Sequence, residues 1–131
     1  MSNESIRVER SLLNSLAFKK LSGSGKYIYF QFLTKRRFMK ISGEWVCSNH
    51  KELVFTYQDA ENKHGYSSAK FTRAIDELMK YGFIDIERYG GKIKGNYSLY
   101  GLSERWQRFG NDDFREVERK KIFNGRGYTK N

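Results

Sequence analysis

A single stretch limits most strongly what this chain can fold into. In GYSSAKFTRAIDELMKYGF, Phe71, Ala74, Ile75 and Leu78 recur at i, i+3, i+4 and i+7. That spacing gathers apolar side chains on one face of a helix. Both ends are marked. Ser67 or Ser68 can cap the start by accepting from an unpaired backbone N–H. Gly82 suits the left-handed position just past the end, with Phe83 able to fold back onto Leu78. Two strands follow: Ile84 and Ile86 alternate with Asp85 and Glu87, and Tyr97 and Leu99 alternate with Ser98 and Tyr100, so that Ile84, Ile86, Tyr97 and Leu99 are expected to be buried together with Leu53, Phe55, Phe71, Ile75 and Leu78. Between them lies Gly90-Gly91-Lys92-Ile93-Lys94-Gly95, a glycine-bounded basic turn.

A helix, a glycine stop and a hairpin with a cationic tip resemble the recognition helix and wing of the winged helix-turn-helix DNA-binding family. The likeness covers residues 22–102 and rests on the order of elements rather than on one diagnostic motif. It implies an α+β fold: a three-helix core, a small antiparallel sheet and a β-hairpin wing, here with N- and C-terminal helical extensions. The expected organisation is an N-terminal arm and short helix over 1–21, the winged helix over 22–102, and a C-terminal helical extension with a basic tail over 103–131.

The remaining elements are read around that frame. Residues 1–10 form a loose arm, and residues 11–21, with Leu12, Leu13, Leu16 and Phe18, a short helix. Ser22-Gly23-Ser24-Gly25 is a break, with Ser24 capping the next element. Residues 26–37 suit either a buried strand or a helix with Ile28, Tyr29, Phe32 and Leu33 on one face. The family resemblance, which needs a first helix here, tips the choice to helix. Residues 38–50 hold a loop or a short strand, with Cys47 a small buried hydrophobe. Residues 52–55 alternate as the first strand of the wing sheet. Thr56-Tyr57-Gln58-Asp59 has capping-box spacing and opens a helix that Gly65 ends. After Ser103, Leu102, Trp106 and Phe109 share a helical face, and Asp113-Phe114-Arg115-Glu116 opens a further helix toward Phe123. Phe114, Val117 and Ile122 on that helix face either the core or a second copy of the chain.

Function is first bounded by charge. The 131 residues carry a net charge of +10, which favours polyanionic partners. The lone Cys47 excludes an intramolecular disulfide and suits a reducing, cytoplasmic setting. No apolar run reaches the ~20 residues that span a bilayer, and the polar N-terminus is unlike a signal peptide; no membrane partner is expected. Cys47, His50 and His64 offer three possible metal ligands without a fourth, short of usual zinc spacing. The sequence points to no cofactor. Catalysis finds little support, because no nucleophile is paired with a placed histidine, and a helix start accounts for Asp112-Asp113.

Candidate DNA contacts follow from helix phase. The first turn after Ser67 carries no acid, leaving its positive end open to an anion. Ser68, Lys70, Thr72, Arg73 and Asp76 fall on the exposed side. Arg73 and Lys70 are the expected base readers, with Ser68 and Thr72 beside them. A solvated, serine-capped face is the plainer alternative. Arg88, Lys92 and Lys94, with Tyr89 beside them, make the wing the expected phosphate contact. Lys35, Arg36 and Arg37 sit where a helix C-terminus favours cations or where phosphate is met. The expected function is sequence-specific binding of double-stranded DNA by a transcriptional regulator or a phage- or plasmid-like replication initiator. A homodimer through the C-terminal helix would match paired half-sites. The rival from another class is a winged helix used for contact with an acidic protein.

Overall fold

Helix α5 (Ser68–Lys80) forms where the apolar spacing predicts it, and both ends close as expected. A computed structural model describes residues 5–90 and 97–119. Ser67 caps α5, its Oγ accepting from Lys70 N at 3.2 Å. At the other end Gly82 takes φ 90°, and Phe83 N and Gly82 N donate to the carbonyls of Leu78 and Met79 at 2.8 and 3.2 Å. This is the double bond of a Schellman close. Phe71, Ala74, Ile75, Leu78 and Met79 are buried.

The described residues form an α+β fold of five α-helices and two two-stranded antiparallel sheets. Residues 11–21 do not make one helix. They split into α1 (Arg10–Leu13) and α2 (Leu16–Lys20), because Ser15 restarts the chain by capping Phe18 N at 3.1 Å. Next comes α3 (Gly23–Thr34), a helix, with Ile28, Tyr29, Phe32 and Leu33 buried on one side as the spacing predicts. Its cap is Ser22 rather than Ser24: Ser22 Oγ accepts from Gly25 N at 3.0 Å. The backbone N and Oγ of Ser22 in turn donate to Glu77 Oε1 at 2.7 and 3.0 Å. A carboxylate from α5 thus meets the positive end of α3, and the two helices pack together.

Residues 38–50 contain a hairpin, β1 (Phe38–Ile41) and β2 (Glu44–Cys47), turned by Ser42 (φ 52°) and Gly43 (φ 85°). Two successive left-handed residues match the twist of a hairpin. Cys47 is only half-buried, with Sγ 3.4 Å from Asn49 Oδ1; at the hairpin root it is not the buried hydrophobe expected.

Helix α4 (Tyr57–His64) starts at Thr56, whose Oγ1 accepts from Asp59 N at 3.0 Å, and ends at Gly65 with φ 70°. The expected strand over 52–55 shrinks to one bridge, Leu53 to Tyr100. Glu52 N is already turned onto Asn49 O, and Thr56 begins the next helix, so no longer ladder can form.

Strands β3 (Ile84–Arg88) and β4 (Leu99–Leu102) pair with Ile84 opposite Leu102 and Ile86 opposite Tyr100, then slip so that Arg88 faces Leu99. The pairing of Tyr100 with Ile86 decides which side chains enter the core. Tyr100 is buried at 2% exposure, Tyr97 is 48% exposed and Leu99 is half-buried, so the expected burial of Tyr97 and Leu99 is not met. In a period-2 element an offset of one residue exchanges the two faces. Ile84, Leu53, Phe55, Phe71, Ile75 and Leu78 are buried together as the pattern predicts; Ile86 is partly buried.

The expected C-terminal helices do not form among the described residues. A 3₁₀ turn (Arg105–Arg108) replaces the first. Ser103 N and Trp106 N donate to Phe83 O and Gly82 O at 2.9 and 3.0 Å, so these donors serve the end of α5 rather than a longer helix. A Cβ on Gly82 would lie 2.6 Å from Trp106 N, which requires glycine there. Residues 114–119 are not helical. The Asp113 carboxylate that would have capped them is gripped by Arg108 Nη2 at 2.7 Å. No helix of the described residues is long and apolar enough to cross a membrane.

Candidate nucleic-acid interface

The outer face of α5 gathers some of the expected contacts and commits others elsewhere. Ser68, Lys70, Arg73 and Asp76 are exposed. Thr72 is half-buried, its Oγ1 2.7 Å from the hydroxyl of Tyr57 on α4. It braces the two helices, and so differs from the free side chain expected. The Lys70 ammonium sits 4.5 Å from the centre of the Tyr66 ring. Tyr66 stacks on Tyr27 at 5.7 Å, and the Tyr27 hydroxyl lies 2.8 Å from His64 Nδ1. The electrostatic pull of the ring face holds Lys70 beside the turn into α5. Periodicity gives no hint of this ladder, since Tyr27 and Tyr66 come from separate elements; the aromatic next to Gly65 is its only local sign.

The three cations after α3 point in different directions. Lys35 is half-buried, its ammonium 4.5 Å from the centre of the Phe55 ring. Burial lowers its pKa below the ordinary lysine value; Asp59 opposes that shift and Lys63 adds to it. Arg36 turns inward, Nε donating to Leu33 O and Nη2 to Arg7 O, each at 3.1 Å. For Arg36 the helix-end reading is therefore sufficient: it satisfies a last-turn carbonyl and ties down the N-terminal arm. Arg37 is exposed.

Arg88 is exposed, and its Nη2 donates to Tyr97 O at 2.7 Å across the base of the β3–β4 hairpin. Gly90 N closes the same base on Ser98 Oγ at 2.8 Å. Lys92 and Lys94 lie outside the described residues. A cleft of about 210 Å³ separates this base from the start of α4, lined by Phe55, Thr56, Tyr57, Tyr97, Ser98 and Tyr100, with Gly90 at its edge. Burial is the main cause that pushes the Tyr100 phenol up to about 12. Through Tyr57 and Thr72 the cleft is one hydrogen bond from α5.

The other groupings weighed from the sequence are engaged elsewhere. His64 is engaged with Tyr27 and Cys47 with Asn49; among the described residues no group of three His, Cys, Asp or Glu side chains is placed to hold a metal. Phe114 packs against Phe109 at 5.2 Å, and Val117 lies against the core. Both serve this chain's own body, and the helix meant to carry a dimer contact is absent over 114–119; Ile122 lies outside the described residues. Comparison with family models, curated proteins and solved structures gave no match.

Proposed function

We propose that residues 22–102 act as a winged helix that binds double-stranded DNA sequence-specifically, in transcriptional regulation or replication initiation. The observation that carries this is the outer face of α5: Ser68, Lys70 and Arg73 are exposed on a helix with no acid in its first turn. A helix end of that kind attracts phosphate, and arginine can grip guanine O6 and N7 together. The adjoining hairpin base with Arg88, and the net charge of +10, add electrostatic support. Arg73 is then the main base reader. Lys70, held over Tyr66, suits a phosphate near the helix start, and Arg88, Lys92 and Lys94 supply backbone contacts.

The test is site selection from random duplexes, followed by affinity across a salt series. Arg73→Ala should cost about 1–3 kcal/mol on the selected site and much less on random DNA. Lys94→Ala should weaken both alike and lower the salt slope by about one. Equal, sequence-independent losses from both variants would reduce the protein to a general polyanion binder. No binding even at low salt would leave the acidic protein partner.

A further inference from the structure

Within that DNA-binding reading, one part of α5 has a use that charge alone would not suggest. Ala69, Thr72, Arg73 and Asp76 stand at i, i+3, i+4 and i+7, the spacing by which a helix lying along the major groove meets successive bases. The fourth position is an acid, which would repel the phosphates on either side. Its helix neighbours Arg73 and Lys80 are cations within reach. Among the described residues the partner of Asp76 comes instead from 43 residues away: Arg119 Nε donates to Asp76 Oδ1 at 2.9 Å. Arg119 Nη2 lies at 2.9 Å from the same oxygen, shielded from solvent and outside hydrogen-bond geometry.

The segment that brings Arg119 there is tied down. Arg105 Nη1 holds Arg115 O at 2.9 Å, while Arg105 Nη2 meets Met79 O at 3.1 Å, Ile84 O at 3.3 Å and Asp85 Oδ1 at 2.6 Å. Arg115 is thus fixed near the end of α5, and Arg119 reaches Asp76 nearer its middle. The segment runs back along the helix, with Val117 seated on the core. The guanidinium turns Nη2 inward, so it cannot also present the paired end-on nitrogens that grip guanine.

We propose that Asp76 is a specificity-determining acceptor of the DNA-reading face and that Arg119 is its positioning residue. Arg119 occupies Oδ1 and cancels the charge. Oδ2 is left to accept from an exocyclic amino group in the major groove, cytosine N4 in the first place, as acids do in direct readout. The polar partner is a base edge rather than a phosphate, which a carboxylate would repel.

Four variants test this in one selection and affinity experiment on random duplex pools. The wild type should select an amino-bearing base at one position, and Asp76→Asn should erode that preference about 10- to 100-fold. Arg119→Ala should weaken selected and random DNA together, because an uncompensated carboxylate then faces the phosphates. Arg119→Lys should stay close to wild type. Asp76→Asn with Arg119→Ala should recover general affinity but not the base preference. Two results overturn the assignment: tighter DNA binding by Arg119→Ala, which would mark the segment as an inhibitory strap, or an unchanged base preference in Asp76→Asn. A wild type that binds no duplex at all defeats the DNA-binding reading itself, and is told apart from those two results before any variant is compared.

Discussion

The two hairpins pair strands of similar length and are held in opposite ways. In β3–β4, Ile84 and Tyr100 are buried, β4 is bridged by Leu53, and Arg105 ties the start of β3 to the end of α5. In β1–β2, Met39, Ile41, Trp45 and Val46 are all large apolar side chains left exposed, and only Phe38 and Cys47 at its root are half-buried. A two-stranded ribbon alone is marginal in water. What steadies β1–β2 is its root: Arg37 N bonds Asn49 Oδ1 at 2.8 Å, Ser48 N bonds Arg37 O at 2.8 Å, and Asn49 Nδ2 bonds Lys35 O at 3.0 Å. Leu102 N meets His50 O at one end of β4, while Tyr97 and Ser98 at its other end border Phe55, Thr56 and Tyr57. The exposed hairpin, a separate sheet, is therefore tied to the β3–β4 sheet at the end away from the cleft. Strand pairing is common to both hairpins; burial on one face separates them.

The largest effect should come from the core itself. Ile84→Ala is expected to cost about 2–5 kcal/mol in chemical denaturation, as buried aliphatic truncations do. Ile41→Ala, at 52% exposure, should stay within about 0.5 kcal/mol. Similar losses at both sites would erase the contrast between the hairpins.

The glycines give the next test. Gly82→Ala combines a positive φ with backbone atoms closer than 3 Å to the new Cβ, and should cost about 1–3 kcal/mol or more. Gly43→Ala has a similar φ but open space around it. Its strain of about 1–2 kcal/mol should fall on a ribbon that opens locally. The global melting midpoint should therefore move far less than for Gly82→Ala, while amide exchange in β1–β2 rises. A melting shift for Gly43→Ala as large as that for Gly82→Ala would show that the ribbon belongs to the cooperative unit.

The last effect is absent at neutral pH, appears only in alkali, and concerns the anchored hairpin. Tyr100 on β4 has its phenol pushed from 10.0 to about 12 by burial, and burial shifts Tyr29 on α3 in the same direction. A raised folded value means that the contribution is complete below pH 10, where both states are protonated. It is lost between pH 10 and about 12, where the unfolded chain ionises first. For one such group the slope is at most about 1.4 kcal/mol per pH unit. Tyr100→Phe should flatten part of that fall and leave the share due to Tyr29. An unchanged alkaline profile in Tyr100→Phe would mean that the phenol is not held away from water.

Much of the helical frame was legible from residue order. The caps at Thr56 and Ser67, the left-handed Gly65 and Gly82, and the buried face of α5 all depend on neighbours within a turn or so along the chain. Such interactions are written locally, so spacing reveals them. The exposed Lys70 and Arg73 follow from the same helix phase. The choice of helix for α3 needed the family resemblance, because KYIYFQFL suits a strand equally well.

Tertiary structure alone decided the rest. The β3–β4 register, with Tyr100 opposite Ile86 and Leu102 opposite Ile84, put Tyr100 in the core instead of Leu99. The donors of Ser103 and Trp106 went to Phe83 and Gly82, about twenty residues back, which cut a helical pattern to one 3₁₀ turn. Arg36 was drawn to Arg7 and Arg119 to Asp76. A cation or a backbone donor settles on whichever acceptor or ring face the folded chain brings within reach, and a partner tens of residues away leaves no periodic trace in the sequence.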